Sequence, residues 1–505
     1  MGDAPDRVGI EGCGGPGRSV RVVPDDVTRP SYEVLAALVM SLREELVSAH
    51  AVLTRTSDEL EQAVQRIAEL EARLASNSQN SSKPPSSDGL GKPAPKTRSL
   101  RGKTPRKPGG QPGHEGKTLS QVANPKHTKI HEPGPCGCGR SLTGRPITSV
   151  TRRQCFDLPP VVVEVTEHHL VERECSCGVR TRAVAPAGVD APVQYGPRMT
   201  AIVIYLYVGQ FLSKQRTAQA LADLFGTPMS AGTIAGMLTR ATAGLDGFLD
   251  EIRRRLAGAE VVGFDETGFR VAGKLHWVHC ARSDKYTLVV CHAKRGRKGM
   301  AVLGVIDALR GVAVHDAWAP YDTYLAAQHQ LCCAHVQREL QAVCDTAPEG
   351  QWCWARQATD ALGRIQVLVS EAVASNADSL DETALAEQVR ALRSAALIGV
   401  QETAARSGKL MKKHNALAKR LIDRQDDYLR FTTDWRIPAD NNGSERDIRM
   451  IKLRQKVSGC QRTLLGAQQF CAIRSYLSTA AKHGMNFFDA LVQLAEGHAW
   501  MPSAA

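Results

Sequence analysis

Three acidic residues stand where a chain could present them to one reacting phosphate. Asp265 closes the apolar start of "VVGFDETGFRV", Asp316 closes that of "VAVHDAW", and Glu445 follows "PADNNGS" at the head of a strongly basic segment. Carboxylates are hard oxygen ligands suited to Mg²⁺, which binds through a few of them together with substrate phosphate. Two such ions stabilise the attacking and leaving oxygens of an in-line displacement at phosphorus. Glu266, Asp307, Asp322, Asp440 and Asp447 compete for the same role. They rank lower: strand alternation puts Glu266 on the face opposite Asp265, and Asp307 falls inside a helical run. His335, in "CAHV", either assists near the ions or packs in the core.

Glu445 has a second reading. Asn442 could cap a helix whose third residue is Glu445, a reciprocal capping arrangement. Against it stands the pattern that follows, because Glu445, Arg449, Lys452 and Lys456 fall at i, i+4, i+7 and i+11, with Arg446 and Arg454 beside them and Ile448 and Ile451 turned away to pack. One helical face thus begins with an acid and continues as a basic stripe. A bound cation reverses the local sign of the acid, and the stripe then grips the phosphates that lead to it.

The elements that must position these groups follow from periodicity. "VVGFDETGFRV", "HWVHCARS" and "YTLVVCHA" read as antiparallel strands around a turn at Gly273 and Lys274. A helix over "GMAVLGVIDALRG", the strand "VAVHDAW", a helix over "YDTYLAAQ", the strand "HQLCCAHV" and the helix "QRELQAVCD" come next. Three antiparallel strands and then strands alternating with helices is the order of an α/β ribonuclease H-like core, in which Asp265 and Asp316 would end adjacent parallel strands. Residues 347–435 are helical by period and read as an all-helical insertion before the chain re-enters the core.

Upstream, the chain is modular. Its 505 residues suffice for several domains, and a net charge of +12 suits a polyanionic partner, nucleic acid before an anionic membrane. Residues 1–30 read as disordered. Leu35, Leu42, Leu70 and Val39, Leu46, Leu53, Leu60, Ile67, Leu74 mark the two seam positions of a coiled coil over 31–75, which predicts a homo-oligomer. A Pro/Gly-rich basic linker over 76–125 holds Arg98, Arg101, Lys103, Arg106 and Lys107 as candidate phosphate contacts. Over 126–190, "PCGCGRSL" and "RECSCGVRT" offer Cys136, Cys138, Cys175 and Cys177 as four thiolate ligands for one structural Zn²⁺, on knuckles one residue tighter than CxxC and joined by β-rich sequence, the pattern of a zinc ribbon. His127 and His131 are alternative ligands, and Cys155 reads as core. Residues 191–255 are helical and helix-turn-helix-like, with Ser230 capping the second helix after a turn at Thr227 and Pro228. The remaining divisions are 256–346 and 436–485 for the core and 486–505 for a C-terminal helix and tail.

No stretch reaches the roughly 18 uninterrupted apolar residues of a spanning helix. No secretory leader is evident, so the reading is cytoplasmic and nucleoid-associated, with no membrane partner and with the 14 cysteines reduced or metal-bound.

The ordered set "NSSKPPSSDG", "RKPGGQPGHEGKTL", the double knuckle, "RTAQALADLFGTPMSAGTI", "DETGFRV", "HDAWAPYDTY", "CAHVQREL" and "NNGSERDIR" resembles transposases of the insertion sequence 66 family, a group of DDE transposases. The resemblance implies cleavage at the ends of a mobile element and strand transfer into target double-stranded DNA, by a released 3′-OH and without a covalent enzyme intermediate. It implies Asp265, Asp316 and Glu445 as the catalytic triad holding two Mg²⁺ (or Mn²⁺) ions, and accessory proteins encoded by the same element as partners. A catalytically silent DNA-binding derivative and a structure-selective nuclease on the same core are the rival readings.

Overall fold

A computed structural model describes residues 31–75, 118–348, 350–404 and 408–503. The candidate basic arm, Arg98 to Lys107, and residues 1–30 lie outside the described residues. The chain divides into two units, Met1–Leu74 and Ala75–Ala505. In the first, α1 (Tyr32–Ala75) is one continuous helix. Its seam is uncovered in the single chain: Leu46 is 61% and Leu53 65% exposed. No described helix is long and apolar enough to cross a membrane.

In the second unit, β1 (Glu172–Glu174) and β2 (Arg180–Arg182) form a short antiparallel hairpin around the second cysteine knuckle. The expected β-rich run before it forms no other strand. Pro159 and Pro160 interrupt it by removing backbone donors, Val162 and Val165 stay exposed, and Cys155 is exposed rather than core.

Four helices precede the main sheet. α2 (Pro197–Ile204) runs into a π-turn over Tyr205–Gly209, and α3 (Lys214–Phe225) starts on the Ser213 cap and stops at Gly226, which takes a left-handed conformation. α4 (Ala231–Ala243) starts on Ser230, whose hydroxyl accepts from the Thr233 N–H at 3.0 Å, and α5 (Asp246–Ala257) follows. Ile234, Met237, Leu238 and Ala241 of α4 are buried in the main core, so much of this helix serves packing.

The sheet contains β3 (Val261–Val271), β4 (Lys274–Arg282), β5 (Thr287–His292), β6 (Val312–His315) and β7 (Gln328–Leu331) in the order β5-β4-β3-β6-β7. β3, β4 and β5 pair antiparallel; β6 is parallel to β3, and β7 to β6. Between β5 and β6 the expected helix over 299–311 is only α6 (Arg297–Ala301). Gly304 is left-handed there, and the chain turns repeatedly while Leu303, Val305, Ile306 and Leu309 still reach the core. Asp307 therefore sits exposed in a turn, not in a helix. "YDTYLAAQ" forms only a 3₁₀ turn, Ala319–Thr323. β7 ends before the cysteine pair, and α7 (Cys333–Cys344) begins inside the stretch expected to be strand.

The helices α8 (Trp354–Ala374), α9 (Glu382–Ala404), α10 (Lys409–Asp423) and α11 (Gln425–Leu429) intervene before α12 (Asn442–Ser458), α13 (Leu464–Lys482) and α14 (Phe487–Ala495). Two hydrophobic cores result, and β6 alternates between them as a strand of period two must. Ala313 joins α3–α5, α13 and α14, whereas Val312 and Val314 join α7–α10. Both sheet edges are covered. On β5, the Thr287 and Val289 N–H groups donate to the hydroxyls of Thr479 and Ser475 on α13, at 3.1 and 2.8 Å. On β7, the Arg430 guanidinium donates to the His329 carbonyl at 2.9 Å, and the Gln330 side chain accepts from the Phe431 N–H at 3.0 Å.

Candidate active site

The parallel pairing of β3 with β6 runs from Val261↔Val312 to Gly263↔Val314. Carried two residues further, the register sets Asp265 against Asp316. Asp316 lies just past the end of β6, as expected, but Asp265 does not end its strand. β3 continues to Val271 in an antiparallel hairpin with β4, so Asp265 marks where the parallel partner departs. Ala317, directly after Asp316, takes a left-handed φ of 63°. A residue with a Cβ is strained in that region, and such strain persists only where surroundings enforce it. Here the Ala317 N–H donates to His315 Nδ1 at 3.2 Å and the Trp318 N–H to Asp316 Oδ1 at 3.1 Å.

Glu445 arrives on the first turn of α12. Asn441, not Asn442, occupies the position before this helix, and its side chain does not cap it. Asn441 is buried and spent elsewhere: Nδ2 donates to the Phe264 carbonyl at 2.6 Å, Oδ1 accepts from the Ser444 hydroxyl at 2.6 Å, and its N–H donates to Cys332 Sγ at 3.1 Å. The turn lies so close to β3 that a Cβ on Gly263 would collide with Ser444 Oγ and stand 2.9 Å from Asn441 Oδ1. Glu445 itself reaches across to α7, where Arg338 Nη2 donates to its Oε1 at 3.0 Å and His335 Nε2 lies 3.5 Å away. Burial, reinforced by the Arg338 charge, pushes the His335 imidazole down to about 3, so it is neutral and that contact is not an ion pair. The geometry does not make the reciprocal cap proposed for Glu445.

Burial disfavours the charge of both aspartates. Burial raises the Asp265 carboxyl well above the usual range, and Glu266, Asp316 and Glu445 raise it further. Asp316 is pushed up to about 7, by burial first and by Glu266 second. The two aspartates have no cationic side chain hydrogen-bonded to them among the described residues, and their all-oxygen chemistry suits a hard divalent cation. Among the described residues, no group of three or more His, Cys, Asp or Glu side chains stands close enough together to hold an ion.

The competing acids have other partners. Glu266 is buried against Arg295 and Tyr321. Asp322 pairs with Arg424 at 2.8 Å, and Asp440 accepts from the Asn442 N–H at 2.9 Å. Asp447 accepts from Thr287 at 2.9 Å and Lys482 at 3.0 Å, with Arg282 at 3.3 Å.

On α12, Ile448 and Ile451 are buried as the period predicts. Arg446, Arg449 and Lys456 are exposed, and Lys452 is half-buried. Arg454 departs from the expected DNA-facing set. It is buried, its guanidinium 5.2 Å from the Tyr207 ring centre and 6.0 Å from that of Phe470. Sequence patterns alone pass over Gly263, Asn441 and Arg338. For Arg338 a signal existed, since it lies one turn after His335.

The two cysteine knuckles have the same backbone form. In each, the first Cys N–H donates to the carbonyl four residues on, the following Gly N–H donates back to that Cys carbonyl, and the Gly is left-handed: Cys136 with Gly139, Cys175 with Gly178. Hydrogen bonds from Cys138 and from Cys177 lower the pKa of Cys136 and Cys175 respectively, so each knuckle gathers its own thiol pair. The four sulfurs are not gathered into one cluster.

Residues 192–469, more than half of the chain, match a family model described as the transposase IS66 family, and residues 25–120 match a family of unknown function, DUF6444. No curated protein matches the chain.

Proposed function

The chain belongs to the IS66 family of transposases, and from that premise we propose that it cleaves DNA at the ends of its element and joins the freed 3′-OH to target DNA, using Asp265, Asp316 and Glu445. The observation that carries this reading is that the β3–β6 register sets Asp265 against Asp316 while α12, which begins with Glu445 in its first turn, packs on β3, and that burial first, Glu266 second and then Asp316 and Glu445 raise the Asp265 carboxyl. The strand order, three antiparallel and then two parallel, supports a ribonuclease H-like core. Asp265, Asp316 and Glu445 would hold two Mg²⁺ or Mn²⁺ ions, which when bound supply charge stabilisation to the phosphate under attack. Arg446, Arg449, Lys452 and Lys456 lead the DNA backbone toward Glu445, while Asn441 and the bare surface of Gly263 fix where that carboxylate begins. Incubation with the element's terminal sequences, Mg²⁺ and a target plasmid tests the reading. Joined products support it; cut but unjoined ends point to a nuclease, and binding alone to a silent derivative.

The metal claim has a readout besides activity. Asp265 and Asp316 have folded pKa values above those of an unfolded chain, so the metal-free protein loses stability as pH rises above about 4 until each acid ionises in the fold, Asp316 at about 7. A cation that binds the charged forms restores it. Thermal melts should show Mg²⁺ raising the melting temperature more at about pH 8 than at about pH 5.5; an equal effect at both would remove these two acids as ligands.

Cys136, Cys138, Cys175 and Cys177 are proposed to close on one Zn²⁺, the two knuckles coming together as the metal binds. Elemental analysis should give about one zinc per chain and lose it in Cys175→Ser with Cys177→Ser. Zinc content that survives this pair of changes would exclude the site. The seam of α1 is proposed to pair with a second copy of the chain, because Leu and Val recur there at heptad spacing and are exposed among the described residues. Deleting residues 31–75 should lower the mass seen by light scattering; an unchanged mass would exclude that role.

A further inference from the structure

Between β5 and α6 the chain reads "AKRGRKG", placing Lys294, Arg295, Arg297 and Lys298 within five positions. This is not a loose basic loop. His279 Nε2 lies 3.1 Å from the Lys294 carbonyl, and a Cβ on Gly299 would run into that same carbonyl, so the loop folds back on itself at the one residue that allows it. Lys294, Arg297 and Lys298 are exposed.

Arg295 is held differently. Its Nε and Nη2 both donate to Glu266 Oε1, at 2.9 and 2.6 Å, and Tyr321 donates to Glu266 Oε2 at 3.0 Å. The guanidinium carbon lies 4.0 Å from the ring centre of Trp318 and 4.9 Å from that of Trp277. A buried carboxylate tied to a cation contributes little to stability. What it does here is fix the plane of the guanidinium between two indoles. Nη1 then makes no hydrogen bond among the described residues, and the side chain keeps 27% of its surface open. This fixed group reaches the carboxylates from one side: Trp318, on which it stacks, donates its backbone N–H to Asp316, whereas Glu266 faces the side of β3 opposite Asp265.

We propose that the 293–298 loop grips the phosphodiester backbone of the DNA strand lying beside the carboxylates, with Arg295 as a fixed phosphate-binding group and Lys294 and Lys298 as supporting charges. The proposal rests on the transposase reading. A planar guanidinium suits a phosphate through parallel N–H donors, which a lysine cannot reproduce.

The test uses the full chain and a fluorescent duplex carrying one end of the element that encodes it, with binding measured in Ca²⁺ over a range of salt and cleavage in Mg²⁺. Lys294→Ala with Lys298→Ala should reduce the slope of log K against log salt by roughly 0.9 for each phosphate no longer neutralised. Arg295→Lys should leave the slope unchanged yet lower cleavage about a hundredfold, the order that misplacing a reacting group costs. A methylphosphonate scan of the duplex should find a position where neutralising the phosphate weakens binding by the parent but not by Arg295→Gln. Should Arg295→Gln lower the melting temperature, the exposed lysine pair still decides the matter. Parent-like slopes in the lysine pair together with parent-like cleavage in Arg295→Lys overturn the loop proposal and leave the transposase reading standing. A parent chain that neither binds nor cuts the duplex overturns both.

Discussion

Asp265→Asn, Asp316→Asn and Glu445→Gln should each lower strand cleavage by several orders of magnitude while end binding persists, because each would remove an oxygen ligand where charge must be stabilised in the transition state. A second measurement separates these acids from structural ones. Burial and neighbouring acids disfavour the charge of Asp265, so Asp265→Asn should raise the melting temperature in a chelator. Asp447 accepts from Thr287 and Lys482 in a partly buried network, so Asp447→Asn should lower it. Exposed Asp307→Asn should do neither and should cleave like the parent. Full activity in Glu445→Gln beside a dead Asp440→Asn would move the third ligand to Asp440.

Gly263→Ala should be nearly as damaging, although the residue carries no chemistry. The added methyl meets Ser444 Oγ and Asn441 Oδ1, and neither can retreat cheaply. Asn441 is tied to the Phe264 carbonyl and to Cys332, and Ser444 to Asn441. The first turn of α12 must then lift from β3. Overpacking of this kind costs about 1–3 kcal/mol, which a domain of this size survives. Moving Glu445 by an ångström should cost cleavage about a hundredfold. Cleavage rate, melting temperature and end binding together decide the matter: a folded, DNA-binding and inactive protein is expected. Parent-like cleavage would show that β3 does not set the position of Glu445.

What could be read in advance followed the range over which each signal acts. The start of β3 and the Ser230 cap of α4 are local, and side-chain type with periodicity sufficed for them, whereas the hairpin with β4 carries β3 past Asp265. The helix expected over 299–311 failed because its apolar spacing is genuine while its backbone turns at Gly304; burial fixed the side chains without fixing the helix. Arg454 was misread for a long-range reason. The period of α12 places it among the basic side chains, but Tyr207, from a distant π-turn, covers that side of the helix. The placement of Asp265 on β3, of Asp316 just past β6 and of Glu445 in the first turn of α12 was legible because strand patterns and a helix start are local signals. The features that aim Glu445, Gly263 under Ser444 and Arg338 across from α7, depend on which elements touch, and nothing local announces that.

The hydroxyls of Ser475 and Thr479 on the outer edge of β5 set an order of events during synthesis. β5 leaves the ribosome nearly two hundred residues before the helix that seals it, and β7 about a hundred residues before its own cover at Arg430 and Phe431. Until then the nascent sheet offers bare strands at both margins, the condition in which chains pair with one another and aggregate. A product truncated before α13 would therefore keep the margin of β5 bare and be prone to pair with other chains.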